Sequence, residues 1–231
     1  MRFLKDMKTL TLLLYLISLP IGLFAQSNGE LLQKVSDALL AGKDDYAVSL
    51  FRQAAEAGIN QTEMFYWTRV DKNTVVAQRL ALELAAYYKN VCNYDKAYLF
   101  YKEFLQYRPN DVFVLVSCAE MEVMRGKEVD ALDLYEKVLK LDANNLAANI
   151  FLGNYYFWQA EQDKKKLENE YKKIASPTKM QYARYRNALS DIFSTRYAKA
   201  RGYLQHVLQL FPSTGADKTL KRIKEVEAEI K

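Results

Sequence analysis

Residues Gln78 to Asp111 read QRLALELAAYYKNVCNYDKAYLFYKEFLQYRPND, and their spacing decides the fold. Small residues at Ala85 and Ala97 let two antiparallel helices approach closely. Large ones at Tyr88, Tyr101 and Phe104 fill the space around them, and Pro109 stops the second helix. The pattern returns at a fixed interval: Leu84-Ala85, Cys118-Ala119 and Leu152-Gly153 lie 34 residues apart. Ala131, Tyr135, Val138 and Ala143 repeat the later offsets, and only Glu122, where Tyr88 stood, breaks the register. Self-similarity at such a period marks an array of helical units, each burying its apolar face against its neighbour.

Working outward, composition agrees with this reading. The chain has 231 residues, 50% hydrophobic and 26% charged, with 8 Gly and 4 Pro. That excludes disordered, collagen-like and disulfide-scaffold classes, and so few turn formers suit long helices better than many short strands. The motif of large, small and aromatic residues closing on Pro resembles that of the tetratricopeptide repeat (TPR) family, over 78–111 and again over 112–145. In the second, Gly126 falls in the inter-helix turn and Leu132, Tyr135, Val138 and Leu139 form an apolar stripe. The resemblance implies an all-α, right-handed superhelix of stacked helical hairpins that binds peptides on its concave face.

The flanks are less regular. Leu31, Val35 and Ala38, then Gly42, then Ala47, Phe51 and Ala54 make a degenerate repeat over 28–61, followed by an insertion over 62–77. That insertion contains Met64-Phe65-Tyr66-Trp67, read either as a buried plug, which is favoured, or as an exposed aromatic contact. A third repeat starts at Leu152, Gly153 and Tyr156, but its partner helix appears only at Tyr197, Ala200, Leu204 and Val207. The intervening residues fit an elongated projecting hairpin better than a further degenerate repeat, which would bury Lys165, Asn169 and Lys172. On this reading 146–213 is one repeat, with Ser176 the N-cap, Pro177 the first helical residue and a kink near Phe193 to Thr195. Leu220, Ile223, Val226 and Ile230 mark an amphipathic capping helix over 214–231.

Residues 1–25 read as a signal peptide. Arg2, Lys5 and Lys8 precede an apolar run from Thr9 to Phe24 broken by Pro20 and Gly22, and Ala25 supplies a small residue for cleavage. The alternative, an uncleaved anchor, rests on bulky Leu23. The expectation is therefore one TPR-like domain over 26–231, exported to the periplasm or outer membrane. Its net charge is near +3, with Cys92 and Cys118 as buried apolar thiols rather than a disulfide.

Catalytic signatures are lacking. His206 is the single His, no Cys pair is closely spaced, and no nucleophile elbow or phosphate-binding glycine loop occurs. No catalytic residue, metal or cofactor is expected, and Glu168 and Glu170 read as a solvated helix face. The expected binding face, from the first helix of each repeat, comprises Leu82, Phe113, Val116, Glu120, Ile150, Asn154, Phe157 and Trp158. It is mostly apolar and lacks the cations with which TPR co-chaperones grip a carboxylate. An open groove would recognise a protein or peptide, with Phe113, Phe157 and Trp158 as anchors; a groove filled by the chain itself is the other reading. A second candidate surface is basic: Lys164, Lys165, Lys166, Lys172, Lys173, Arg184 and Arg186, interleaved with Tyr, suit anionic glycan or lipid head groups. Export argues against nucleic acid. The function expected is a non-catalytic interaction or assembly scaffold of the bacterial envelope.

Overall fold

The computed structural model describes residues 27–230; the expected signal peptide, 1–25, lies outside them. The described residues are all-α, with helices packed as sequential pairs. Among them no helix is long and apolar enough to cross a membrane. They divide into two compact units, one through Val91 and one from Cys92 onward, so the Gln78–Asp111 repeat contributes one helix to each.

The first unit holds α1 (Asn28–Leu40), α2 (Asp44–Arg69) and α3 (Val75–Asn90). Ser27 caps α1, and Leu31, Leu32, Val35 and Ala38 bury a stripe against Ala47, Val48, Phe51 and Ala54 of α2. Gly42 turns the chain between them at φ 66, a left-handed conformation that glycine adopts without strain. α2 is broken at Gly58, and the sequence-predicted insertion, 62–77, starts within the helical segment that follows this break and ends in the first turn of α3. The Asn28 amide reaches into this break, donating to Ala54 O at 2.6 Å, Gly58 O at 3.0 Å and Thr62 Oγ1 at 3.0 Å. A Cβ at position 58 would lie 3.0 Å from Asn28 Nδ2, so a side chain there would crowd the amide and require it to shift. Helical periodicity then divides the aromatic run: Tyr66 is buried, whereas Met64 and Trp67 are exposed, and neither expectation covers all four residues. Lys72 lies 4.2 Å from the Tyr66 ring centroid and 5.4 Å from that of Trp67.

The second unit runs α4 (Tyr94–Tyr107), α5 (Val112–Met124), α6 (Glu128–Leu141), α7 (Leu146–Lys172), α8 (Lys179–Ile192), a π turn (Phe193–Tyr197), α9 (Ala198–Leu210) and α10 (Thr214–Ile230). Asn93, Asp111 and Asn145 cap α4, α5 and α7 through their side chains. Gly126 makes the α5–α6 turn at φ 73. One period earlier the same left-handed turn is made by Cys92 at φ 58, and the residue is exposed rather than buried as expected. The cause is positional: a turn residue between two helices faces solvent, and a non-glycine there costs about 1 kcal/mol. Cys118 is buried, and burial pushes its thiol up to about 12.

The register-breaking Glu122 is also buried. It accepts from Arg125 Nη1 at 2.8 Å, and Arg125 bridges on to Asp95 at 2.6 Å across the α4–α5 pair. Burial, followed by its hydrogen bond to Glu122, holds the Tyr98 hydroxyl up at about 12.

α7 packs on both α9 and α8, as an elongated hairpin requires. Thr178, not Ser176, starts the return arm: its hydroxyl accepts from Gln181 N, and the Gln181 side chain accepts from Thr178 N. This reciprocal box satisfies two orphan amides, whereas capping by Ser176 would leave them to water. The kink expected near Phe193 coincides with the π turn, where Ser194 and Thr195 both donate to Asp191 O.

Candidate functional site

α5 reads VFVLVSCAEMEVM and is apolar nearly all round, yet it leaves Phe113 and Met124 exposed at its two ends. Val114, Leu115, Cys118, Ala119 and Met121 point inward. Phe113 remains 74% exposed and Met124 55% exposed, with half-buried Val116 and Glu120 between them. Their spacing of three to four residues makes one outward stripe. Asp111 caps Val114 N–H and Ser117 Oγ donates to Phe113 O, fixing the first turn from which Phe113 projects. A helix apolar on every side is ordinarily covered on every side, so the exposure of Phe113 and Met124 requires a reason.

α7 repeats the arrangement. Ala148, Leu152 and Gly153 face the core, while Ile150, Asn154 and Trp158 recur every four residues on the outside, Ile150 37% and Trp158 54% exposed. Both helices pack on α6. There the buried Tyr135 stacks on Phe151 at 4.4 Å, and burial with the Glu120 charge beside it pushes its hydroxyl up to about 12. The support beneath the outward residues is thus a rigid aromatic layer, which preorganises the face for contact. Trp158 also borders a shallow cleft of about 380 Å³ lined by Glu161, Gln162, Lys165, Glu168 and Arg222.

Two expected members fall elsewhere. Phe157 is half-buried, packing edge-on against Tyr197 at 6.1 Å, because one helical step turns it from the Trp158 side toward the α7–α9 core. Leu82 belongs to the first unit and is half-buried on α3. Met124 was missed, although its place four residues beyond Glu120 on an apolar helix was visible in the pattern.

The basic hairpin divides as well. Lys164 is 4% exposed and donates to Glu168 at 3.0 Å and Glu229 at 2.7 Å. Burial alone would lower its pKa, but the two carboxylates outweigh it and hold the ammonium above its ordinary value. Arg186 donates to Ile230 O. These two cations clamp α10 rather than form part of an open basic surface. Lys165, Lys166, Lys172, Lys173 and Arg184 are exposed. His206 sits on α9 between Asn144 Oδ1 at 3.0 Å and Gln209 Oε1 at 3.2 Å. Among the described residues no group of three His, Cys, Asp or Glu is placed to hold a metal ion.

No family model matches the sequence, and no curated protein does. Among solved structures, the chain is similar to a "putative protein binding protein" from Bacteroides ovatus ATCC 8483, at 61% identity and a TM-score of 0.84, over 89% of this chain and 100% of that one. With that identity over the relative's whole length, the chain belongs to the same family as the Bacteroides ovatus protein, an all-α family of sequentially paired helices.

Proposed function

We propose that this protein is an exported, non-catalytic interaction module of the TPR type in the bacterial envelope. It recognises a partner protein through the outward stripes of α5 and α7. The observation that carries the reading is the exposure of Phe113 and Met124 on α5, a helix otherwise buried or half-buried. The protein-binding description of the Bacteroides ovatus relative supports it, as does the charged, apolar and small-residue order of 1–25 for export. Mechanistically, Phe113 and Trp158 are the anchors: large, rigid side chains whose burial in a partner contributes most of the binding energy, while Asn154 and Glu120 set register. A face held by packed helices loses little conformational entropy on binding.

The test is a photo-crosslinking residue placed in turn at 113, 150 and 158, and at exposed Val129 on α6, in cells producing the protein. The same protein adduct at 113, 150 and 158 with none at 129 supports the reading. No adduct at 113 and 158, or equal adducts at 129, overturns it.

A further inference from the structure

The structure sorts the cations of the long hairpin by partner. One set is engaged: Lys164 with Glu168 and Glu229, Arg186 with Ile230 O, Arg196 with Asp163, Arg201 with Glu227. Lys165, Lys166, Lys172, Lys173, Lys179 and Arg184, spread along the outer part of α7 and α8, are all exposed, and among the described residues none of the six has an ion-pair partner. Exposed Met180 and Tyr182 and half-buried Ile174 lie among them. The stack of Tyr171 on Tyr185 at 4.5 Å holds the two arms together there. A fold that neutralises one set of cations and leaves six others unpaired, with apolar side chains beside them, carries the chemistry of an interfacial anchor.

We propose that the outer part of the α7–α8 hairpin docks on an anionic lipid surface, the six cations facing phosphate head groups and Met180 and Tyr182 entering the interface. An anionic glycan fits less well, since sugars are gripped by polar clefts, whereas this segment carries exposed Met180 and Tyr182 among its cations. The inference goes beyond the apolar stripe of α5 and does not depend on it.

Every described helix lies within 27–230, so the chain from Gln26 is used, which removes the basic and apolar first segment as a source of binding. It is sedimented with vesicles of equimolar phosphatidylcholine and phosphatidylglycerol, and with phosphatidylcholine alone. Binding to the anionic vesicles only, weakening as salt rises, is expected. Each cation replaced by Gln among the six should weaken partition about fivefold. Replacing Lys34, Lys127 and Lys140, exposed elsewhere, should leave it unchanged. Met180→Ser with Tyr182→Ser should abolish the fraction that survives high salt. Wild-type protein that ignores anionic vesicles, or a six-site variant that binds them as well as wild type, overturns the proposal. So does retention on dextran sulfate without vesicle binding, which would assign the cations to glycan.

Discussion

Along α7 a single helix passes through two kinds of packing. Over its first half Ala148, Leu152, Gly153 and Ala160 meet Ala200, Leu204 and Val207 of α9, with the helices close because position 153 has no side chain. Over its second half α7 meets α8, where Leu189 is the buried residue of α8 and the buried residue of α7 is the lysine at 164. The inner half is held by close packing of small residues, the outer half by Leu189 with half-buried Leu167 and Ile192, the charges around Lys164 and a tyrosine stack. The same backbone therefore provides a rigid support for the α5 and α7 stripes and, farther along, an arm whose surface is free to carry charge.

The largest expected effect tests the inner half. A Cβ at 153 would lie 2.7 Å from Leu204 Cγ and Cδ2, so Gly153→Val should cost about 3 kcal/mol in urea unfolding. Leu204→Ala in the same chain should return most of that loss; no recovery would mean that close packing is not what joins α7 to α9. Next, Lys164→Ala and Lys164→Met should each cost about 2 kcal/mol, since both leave Glu168 and Glu229 without their shared cation. A loss in Lys164→Ala alone would mean that the outer half depends on the packing of this side chain rather than on its charge.

Tyr197 joins the two halves: buried, it donates to Glu161 at 2.6 Å, and burial with that hydrogen bond holds its pKa well above the usual 10. A raised tyrosine pKa favours the neutral folded form, so this stabilisation is complete below pH 10 and declines as pH rises above it. Tyr197→Phe should cost about 1 kcal/mol at neutral pH and flatten that alkaline decline, followed by thermal unfolding from pH 8 to 11. The smallest effect belongs to the hairpin end, where Lys172→Gln with Lys173→Gln should change stability by less than about 0.5 kcal/mol. A larger loss would show that the arm depends on these cations structurally.

Much of the fold was legible because the determining signal is local and periodic. The 34-residue spacing, the turn glycines at 42 and 126, and the kink near Phe193 all follow from which residues fit a helix face or a left-handed turn. Cys92 deceived the reading because its neighbours have helical periodicity; only the turn geometry, one period before Gly126, exposes it. Glu122 broke the pattern visibly, but its compensation by Arg125 and Asp95 required knowing which helices meet. At the candidate face, Phe113, Ile150 and Trp158 were readable from spacing, whereas Phe157 turned inward by a single step of α7.

Residue spacing along one chain suffices for the helical class, the 34-residue recurrence and the apolar character of α5. Tertiary structure alone decided which of those apolar residues stay uncovered, and which cations of the hairpin are neutralised: Lys164 is four-hundredths exposed and its neighbour Lys165 is open to solvent. The physical reason is that coverage and charge pairing depend on partners distant in sequence, Glu229 and Ile230 among them, which spacing within one helix does not specify.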